Sequence, residues 1–204
     1  MATRIIGGSH GGRHLRTLRG DLTRPTTDRV REALFSSLDS TLGSLEGLRF
    51  LDLYAGSGAV GLEARSRGAA DVVLVERDKR AAALVAGNAR DLGLEVTVVQ
   101  APVSRHLALA ATSAYDVVFA DPPYDLPADQ VTSNLAALAD HGWLASGAVV
   151  VVERSRRAHV VSWPDGYEPL RTRTYGETVL AFARWAGGGE SLWYGRDLPS
   201  AEEP

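Results

Sequence analysis

Two short motifs contain the residues of this sequence that are best suited to binding and chemistry. The first is a glycine loop, Gly56-x-Gly58-x-x-Gly61, between an apolar run and a stretch with helical spacing. The second is the corner Asp121-Pro122-Pro123-Tyr124, which follows another apolar run. Glycines let a backbone turn tightly and approach a ligand closely. Two prolines stiffen a corner and leave its carbonyls free to accept hydrogen bonds. The sequence therefore predicts a ligand cradle and a rigid acceptor site.

The glycine loop has the spacing of a nucleotide-binding fingerprint. Glu76 ends the next apolar run, 20 residues after Gly56. An acidic side chain at that place can accept hydrogen bonds from both hydroxyls of a ribose. The spacing alone leaves NAD and FAD open as cofactors.

Asp52 favours a different cofactor. It lies inside the first apolar run, four residues before Gly56, so its carboxylate is predicted to point toward the crevice. A carboxylate there repels a pyrophosphate and attracts an ammonium group. S-adenosylmethionine carries an ammonium, a sulfonium and a ribose, and no phosphate. These residues predict S-adenosylmethionine as the cofactor and S-adenosylhomocysteine as its product.

The corner is suited to a planar, amide-like NH2 group. Backbone carbonyls and the Asp121 carboxylate can accept hydrogen bonds from both N–H groups of the amine, while the ring of Tyr124 stacks on the base that carries it. An exocyclic amine of a base is a poor nucleophile because its lone pair is delocalised into the ring. Acceptors on both N–H bonds favour a pyramidal nitrogen, and Asp121 can stabilise the developing positive charge and then take the proton.

The elements that position these motifs follow from the apolar pattern. Apolar runs alternate with helical stretches, which is typical of a parallel sheet covered on both faces. The predicted strands are 48–54, 71–76, 95–100, 115–121 and 148–153, followed by an antiparallel pair, 170–175 and 178–185. The first predicted helix is capped by Thr26, Thr27 or Asp28. Four more helices are predicted: one that follows the glycine loop and ends at about 66, then 77–92, one near 104–111, and 127–140. The fold prediction is α/β, with a Rossmann-like, mostly parallel seven-stranded sheet.

A basic arm precedes this body. Two short runs around the turn Gly7-Gly8-Ser9-His10-Gly11-Gly12 predict a β-hairpin too small to be stable alone. Residues 1–31 carry seven arginines and two aspartates, a balance of +5, while the remaining residues balance at −8. A basic arm on an acidic body favours a polyanionic partner. The predicted units are the arm at 1–24, the catalytic domain at 25–187 and a polar tail at 188–204.

Composition excludes several classes of site. The chain of 204 residues contains no cysteine, so disulfides and thiolate-ligated metals are excluded. The five histidines have no ligand spacing, and no metal is expected. No uncharged stretch is long enough to span a membrane, and no signal peptide is evident, so we expect a cytoplasmic protein. The arginines at 154, 156 and 157 are interpreted as a solvated loop, with an extension of the RNA-binding surface as the alternative.

Three blocks together resemble the RsmD family. They are Thr23-Arg24-Pro25-Thr26-Thr27-Asp28-Arg29-Val30-Arg31-Glu32-Ala33-Leu34-Phe35, then Leu51-Asp52-Leu53-Tyr54-Ala55-Gly56-Ser57-Gly58-Ala59-Val60-Gly61-Leu62-Glu63-Ala64 with Ser66-Arg67-Gly68-Ala69, and the Asp-Pro-Pro-Tyr corner. The resemblance implies a class I methyltransferase fold and methylation of guanine N2 at position 966 of 16S ribosomal RNA. We expect the RNA to be part of a 30S subunit or assembly intermediate, with naked RNA left open, and the protein to be a monomer. The resemblance implies catalytic roles for Asp121, Pro122, Pro123 and Tyr124, and cofactor contacts from Asp52, Ala55, Gly56, Ser57, Gly58, Glu76, Arg77 and Gln100. It implies RNA contacts from Arg4, Arg13, His14, Arg16, Arg19 and Arg24.

Some alternatives stay open at this point. Relatives often carry an acidic residue near the adenine, whereas this chain has Gln100, so the adenine contact is not assigned. The same corner serves adenine N6 in DNA methyltransferases, although the chain lacks an obvious domain for reading duplex DNA. Asp121 in place of Asn disfavours methylation of protein glutamine. A non-catalytic ribosome-assembly factor and an NAD-linked enzyme are the remaining alternatives.

Overall fold

A seven-stranded sheet forms the centre of the protein in a computed structural model, which describes residues 3–17, 27–158 and 160–187. The strand order is β3-β2-β1-β4-β5-β7-β6. Neighbours are parallel except β7, which runs antiparallel between β5 and β6. The strands are β1 Arg49–Leu53, β2 Asp71–Glu76, β3 Thr97–Gln100, β4 Tyr115–Ala120, β5 Leu144–Ser155, β6 Tyr167–Tyr175 and β7 Thr178–Trp185. The predicted parallel sheet with an antiparallel end pair is confirmed.

Five helices connect and cover the strands of the described chain. They are α1 Asp28–Leu42, α2 Ala59–Ser66, α3 Lys79–Leu92, α4 Val103–Leu107 and α5 Ala128–Asp140. Thr27 caps α1, because its side chain accepts a hydrogen bond from the amide of Val30. Asp78 caps α3 by accepting from the amides of Arg80 and Ala81. Both helix starts are therefore set by short polar side chains that the sequence places just before the apolar period.

Four elements differ most in length from their predictions: α4 ends at Leu107 rather than at 111, β6 begins at Tyr167 rather than at 170, and β5 and β3 differ as well. β5 begins at Leu144 rather than at 148, because the strand continues through a bulge. Tyr115 pairs with Leu144 and Val117 with Val149, so extra residues on β5 are absorbed around Gly147. A Ser-Gly pair is typical of a turn, which is why the sequence pattern predicted that β5 starts after it, at 148. β3 is shorter than predicted and lies at the sheet edge.

The sheet has an apolar cluster on each face, because successive strand residues point to opposite sides. In β1, Leu51 and Leu53 join the cluster under α4 and α5, while Phe50 joins the cluster under α1 and α2. Asp52 shares the Phe50 side and is 1% exposed, so an acidic residue sits at a position that the pattern assigns to the core. A buried carboxylate in a strand is costly unless it has partners or a ligand.

The described part of the arm, residues 3–17, folds back on itself and docks on the body. Arg4 and His14 form an antiparallel bridge, and the amide of Ile5 donates to the carbonyl of Arg13 at 2.9 Å. The side chains of Ile5 and Leu15 are buried in a third apolar cluster with residues of α2 and α3, among them Leu62. This small pairing is stabilised by burial against two helices rather than by its own few hydrogen bonds.

The turn of the arm lies directly against the end of α2. The amide of Ser9 donates to the carbonyl of Ser66 at 2.8 Å, and a Cβ on Gly8 would lie 2.0 Å from that carbonyl oxygen. Gly12 has the same left-handed backbone, with φ of 84° against 80° for Gly8, yet nothing lies within 4 Å of its would-be Cβ.

We expect Gly8→Ala to unseat the turn, because it adds a clash to the left-handed strain that Gly12→Ala also introduces. The shared strain costs roughly 1–2 kcal/mol. Thermal unfolding should therefore show a clearly lower Tm for Gly8→Ala than for Gly12→Ala. Equal Tm values for the two variants would show that the Gly8–Ser66 contact does not hold the arm.

Candidate active site

The two motifs meet at the carboxyl edge of the sheet. β1 and β4 are parallel neighbours, and the chain leaves them toward opposite sides of the sheet, β2 on one side and β5 on the other. Ligands of doubly wound sheets bind at such a switch in strand order. The amide of Asp121 lies 3.4 Å from the carbonyl oxygen of Leu53, so the corner starts directly beside the glycine loop.

The glycine loop is a tight turn into α2. Three of its residues have left-handed backbone: Tyr54 at φ 64°, Gly56 at 54° and Gly58 at 79°. Gly58 is the N-cap of α2, and a Cβ there would lie 2.8 Å from Cγ1 of Val85 on α3. At Gly56 the nearest atom to a would-be Cβ is the Tyr54 oxygen at 3.9 Å, so space remains on that side of the loop. Gly58 is needed for packing, and Gly56 leaves room for a ligand.

Asp52 lies beneath this loop with one oxygen in use. Its Oδ2 accepts a hydrogen bond from the amide of Gly61 at 2.8 Å. Burial raises the pKa of Asp52 to about 7, the Gly61 hydrogen bond opposes that rise, and the nearby charge of Glu76 adds to it. The cofactor-free carboxyl is therefore close to half protonated near neutral pH, and a cationic ligand group would favour its ionised form.

This pKa predicts a pH dependence of cofactor binding. If the ammonium of S-adenosylhomocysteine binds the ionised Asp52, its Kd should rise roughly eightfold between pH 7.5 and pH 6.0, as the carboxyl gains a proton. Titration calorimetry would measure this, and Asp52→Asn should flatten the dependence while binding more weakly at pH 7.5. A Kd for the wild type that does not change over this interval would contradict the assignment.

The same raised pKa has the opposite effect on the cofactor-free fold. The native state holds the Asp52 proton more tightly than the unfolded state does. This contribution to stability is complete below about pH 4 and is lost as the pH rises through about 7.

Glu76 supports the loop from the neighbouring strand. Its Oε2 accepts from the amide of Gly56 and its Oε1 from the amide of Asp78, both at 2.8 Å. A carboxylate oxygen has more than one lone pair, so both oxygens keep capacity for a ligand. Gln100 lies beside Glu76 in the β2–β3 register and is exposed, as is Arg77. Glu76 thus shapes the cradle in addition to facing it, a role the fingerprint alone did not reveal.

The corner combines a buried base with an exposed ring. Pro122 is buried, Asp121 is half-buried, and Tyr124 is 62% exposed, more than any other aromatic residue that the structure describes. The carbonyl of Pro123 accepts from the amide of Leu126 at 3.0 Å, so it closes the turn rather than standing free as predicted. The corner presents an aromatic face at the mouth of the crevice.

Two residues near the corner were missed by the sequence interpretation. The Nδ2 of Asn134, on α5, donates to the hydroxyl of Tyr54 at 2.7 Å, and burial raises the pKa of that phenol to about 12. Arg154 is half-buried, and its Nη2 donates to the carbonyl of Leu126 at 3.3 Å, so its interpretation as part of a solvated loop is wrong. Both contacts join segments that are distant in sequence, and no local motif marks them.

The arginines of the arm are held loosely by acidic groups of the body. Arg4 lies 3.5 Å from Asp28, and Arg16 lies 2.6 Å from Asp91, with more than half of each arginine side chain exposed. Arg13 and His14 are exposed, while Arg19 and Arg24 lie outside the described residues. Exposed ion pairs contribute little to stability, so such cations can exchange a carboxylate for another anion.

The described residues contain neither a metal-ligand cluster nor a membrane-spanning helix. No group of three or more His, Asp or Glu side chains within them could hold a metal ion. None of the helices described is both long and apolar enough to cross a membrane. A cavity of about 620 Å³ lies between the turn of the arm and the end of α2. That end of α2 is remote from the crevice, where the helix begins.

The chain is similar to ribosomal RNA methyltransferases. A model of the family described as conserved hypothetical protein 95 matches residues 3–184. The chain is 38% identical over 196 residues to "Ribosomal RNA small subunit methyltransferase D" of Escherichia coli, covering 92% of each protein. The Haemophilus influenzae protein of the same name is 34% identical, with 85% of this chain and 89% of that protein covered.

Solved structures give the same result for the fold. The structure titled "Putative methyltransferase yhhF from Escherichia coli" has a TM-score of 0.81 and 30% identity, covering 92% of this chain and all of that one. A hypothetical protein of Thermus thermophilus has a TM-score of 0.73 and 36% identity, with 88% and 97% covered. The predicted class I methyltransferase fold is confirmed.

Proposed function

The chain belongs to the RsmD family of ribosomal RNA methyltransferases, and from that membership we propose that it methylates the exocyclic N2 of a guanine in 16S ribosomal RNA. The observation that carries the proposal is the meeting of two motifs at one switch point, where Asp121 begins beside Leu53 at the end of β1. A cradle for a methyl donor and a corner for a base amine thereby face one crevice. Position 966, implied by the family resemblance, is the proposed target.

The residues at the glycine loop fit S-adenosylmethionine. Asp52 offers a buried carboxylate for its ammonium, the space beside Gly56 admits the methionine part, and Glu76 keeps acceptor capacity for the ribose hydroxyls. When bound, S-adenosylmethionine supplies a methyl group on a positively charged sulfur, and that sulfur keeps the electron pair of the broken bond. Ala55, Ser57, Arg77 and Gln100 complete the proposed contacts, with Gln100 on the adenine side.

The corner would prepare the amine for attack. Splaying a base out of structured RNA costs a few kcal/mol, and stacking on the exposed ring of Tyr124 returns roughly 1–3 kcal/mol. The Asp121 carboxylate accepts a hydrogen bond from one N–H group of the guanine amine, and a backbone carbonyl of the corner accepts one from the other. This arrangement turns the nitrogen lone pair toward the methyl group. As the new N–C bond forms, positive charge grows on nitrogen, and Asp121 stabilises it and then accepts the proton.

The arm would supply the sequence-independent part of RNA binding. Arg4, Arg13, His14 and Arg16 are exposed on a segment docked against α2 and α3, and Arg19 and Arg24 follow it in the sequence. Phosphate contacts from arginine set the position of a protein on nucleic acid and weaken with salt. The arm is therefore proposed to hold the RNA while the corner receives the base.

The test is transfer of labelled methyl from S-adenosylmethionine to three acceptors: undermethylated 30S subunits, naked 16S RNA and duplex DNA. We expect label on the 30S particle, recovered as N2-methylguanine after digestion. Label on DNA alone would overturn the proposal in favour of adenine N6 methylation. Tight cofactor binding without label on any of the three would show that the acceptor is a different molecule.

A further inference from the structure

Asn88, in the middle of α3, contacts both the arm and the glycine loop. Its side chain is 2% exposed, and a buried amide needs hydrogen-bond partners. The Oδ1 accepts from the amide of Arg16 at 3.0 Å. The Nδ2 donates to the carbonyl of Arg16 at 3.0 Å and to the carbonyl of Ser57 at 3.4 Å. The side chain of Asn88 therefore connects the backbone of the arm to the backbone of the glycine loop, two segments that are far apart in the sequence.

Close packing on both sides of Asn88 reinforces this connection. A Cβ on Gly87 would lie 2.8 Å from Nη2 of Arg16, so the arm lies against the helix surface there. A Cβ on Gly58 would lie 2.8 Å from Val85, one turn earlier in α3. The arm and the loop thus rest on the same two turns of α3. A change in the loop backbone at Ser57 reaches Arg16 through a single amide.

We propose that Asn88 is a positioning residue that couples the glycine loop to the arm, so that cofactor and RNA each tighten the binding of the other. The coupling presupposes the proposed function, in which the loop holds the cofactor and the arm contacts RNA. With the loop occupied, the Ser57 carbonyl is held in one place, and the Asn88 amide and the Arg16 backbone are held with it. Arg13 and Arg16 then lose less conformational freedom when they bind phosphates.

Linkage fixes the form of the effect. If cofactor raises RNA affinity by a given factor, RNA raises cofactor affinity by the same factor. A single shared hydrogen bond corresponds to a factor of about five. Asn88 itself contacts neither ligand in this arrangement, so its removal should abolish the factor without abolishing either binding reaction.

The experiment measures the Kd for undermethylated 30S subunits with and without saturating S-adenosylhomocysteine. We expect the product to tighten RNA binding about fivefold in the wild type. Asn88→Ala should bring this ratio to one, with both ligands still bound. The matched control is Asp91→Asn, which removes the partner of the Arg16 side chain on the same helix and leaves the Asn88 bonds intact. It should keep the ratio even if the Kd values change together.

A ratio of one in the wild type, or a ratio of five that persists in Asn88→Ala, would overturn the coupling. Hydrogen exchange of the wild type tests it without a variant that could fail to fold. The amide of Arg16 should exchange more slowly when S-adenosylhomocysteine saturates the protein, and unchanged exchange would also overturn the coupling.

Methyl transfer to RNA by the same wild-type preparation separates the two proposals. An active enzyme with a ratio of one refutes the coupling alone, whereas a protein that binds no RNA refutes both.

Discussion

Replacing Asp121 by alanine is expected to lower kcat for methyl transfer about 100- to 1000-fold, the cost of losing a group that stabilises charge in the transition state. The corner keeps its two prolines and its ring, so the base can still be held. The cofactor cradle is built from β1, β2 and the glycine loop, so the Kd for S-adenosylhomocysteine should stay within about twofold of the wild type. Steady-state transfer to 30S subunits at saturating concentrations of both substrates would give kcat.

Asp125 provides the matched control for this variant. It lies four residues after Asp121 in the same loop and is exposed. Asp125→Ala removes the same charge from the same segment but not from the corner, and it should leave kcat within about threefold of the wild type. If both variants lost activity equally, the loop charge rather than the placement of Asp121 would be responsible. A fully active Asp121→Ala protein would show that Asp121 is not a catalytic residue, whereas an intact cellular phenotype of the variant without methyl transfer would favour the non-catalytic assembly factor.

The second large effect is expected at Glu63, which is fully buried on α2. Its Oε1 lies 2.9 Å from Nη2 of Arg67, and its Oε2 lies 3.5 Å from Nε of the fully buried Arg31. The amide of Ile6, in the arm, also donates to Oε2 at 3.3 Å. Glu63→Ala leaves the buried Arg31 guanidinium with one carboxylate fewer, so the free energy of unfolding should fall by about 3–5 kcal/mol. Urea denaturation followed by circular dichroism would measure the change.

Asp39→Ala is the control for Glu63→Ala, because Asp39 is the other acidic partner of Arg67. That pair is 3.5 Å long and partly exposed, so its loss should cost at most about 1 kcal/mol. Similar losses in the two variants would mean that the Glu63 cluster behaves as an ordinary surface network. Because Glu63 also holds Ile6, Glu63→Ala should weaken RNA binding as well, whereas Asp39→Ala should not.

The order of strands and helices could be predicted because the central strands are apolar and the two longest helices, α1 and α3, each start at a polar cap. The valines of β2 and the cap of α3 at Asp78 are local features, and local features are what a single sequence displays. The bulge of β5 could not be predicted, because a Ser-Gly pair such as the one that ends at Gly147 is typical of a turn. Only the pairing of β5 with β4 shows that Gly147 belongs to the strand.

The candidate site was predicted only in part, for a related reason. Asp52, Gly56 and Asp121 stand in motifs whose spacing places them at strand ends, and the structure brings those ends together. The supporting contacts from Asn134, Asn88 and Arg154 join elements far apart in the chain. Each of these residues has an ordinary polar identity at an ordinary helix or strand position. Only the assembled fold shows that Tyr54, Ser57 and Leu126 lie within hydrogen-bond reach of them.

The docking of the arm on α2 and α3 also fixes an order of events during synthesis. The arm is translated first, but its apolar seat is complete only when Leu92 has been added, 75 residues after position 17. At about 5–20 residues per second, this interval lasts roughly 4–15 seconds. During that time the basic arm, which is too small to fold alone, lies outside the ribosome without the helices against which it docks. The ribosome beside it is itself largely RNA. The arm can take up its native position only after α2 and α3 have been translated.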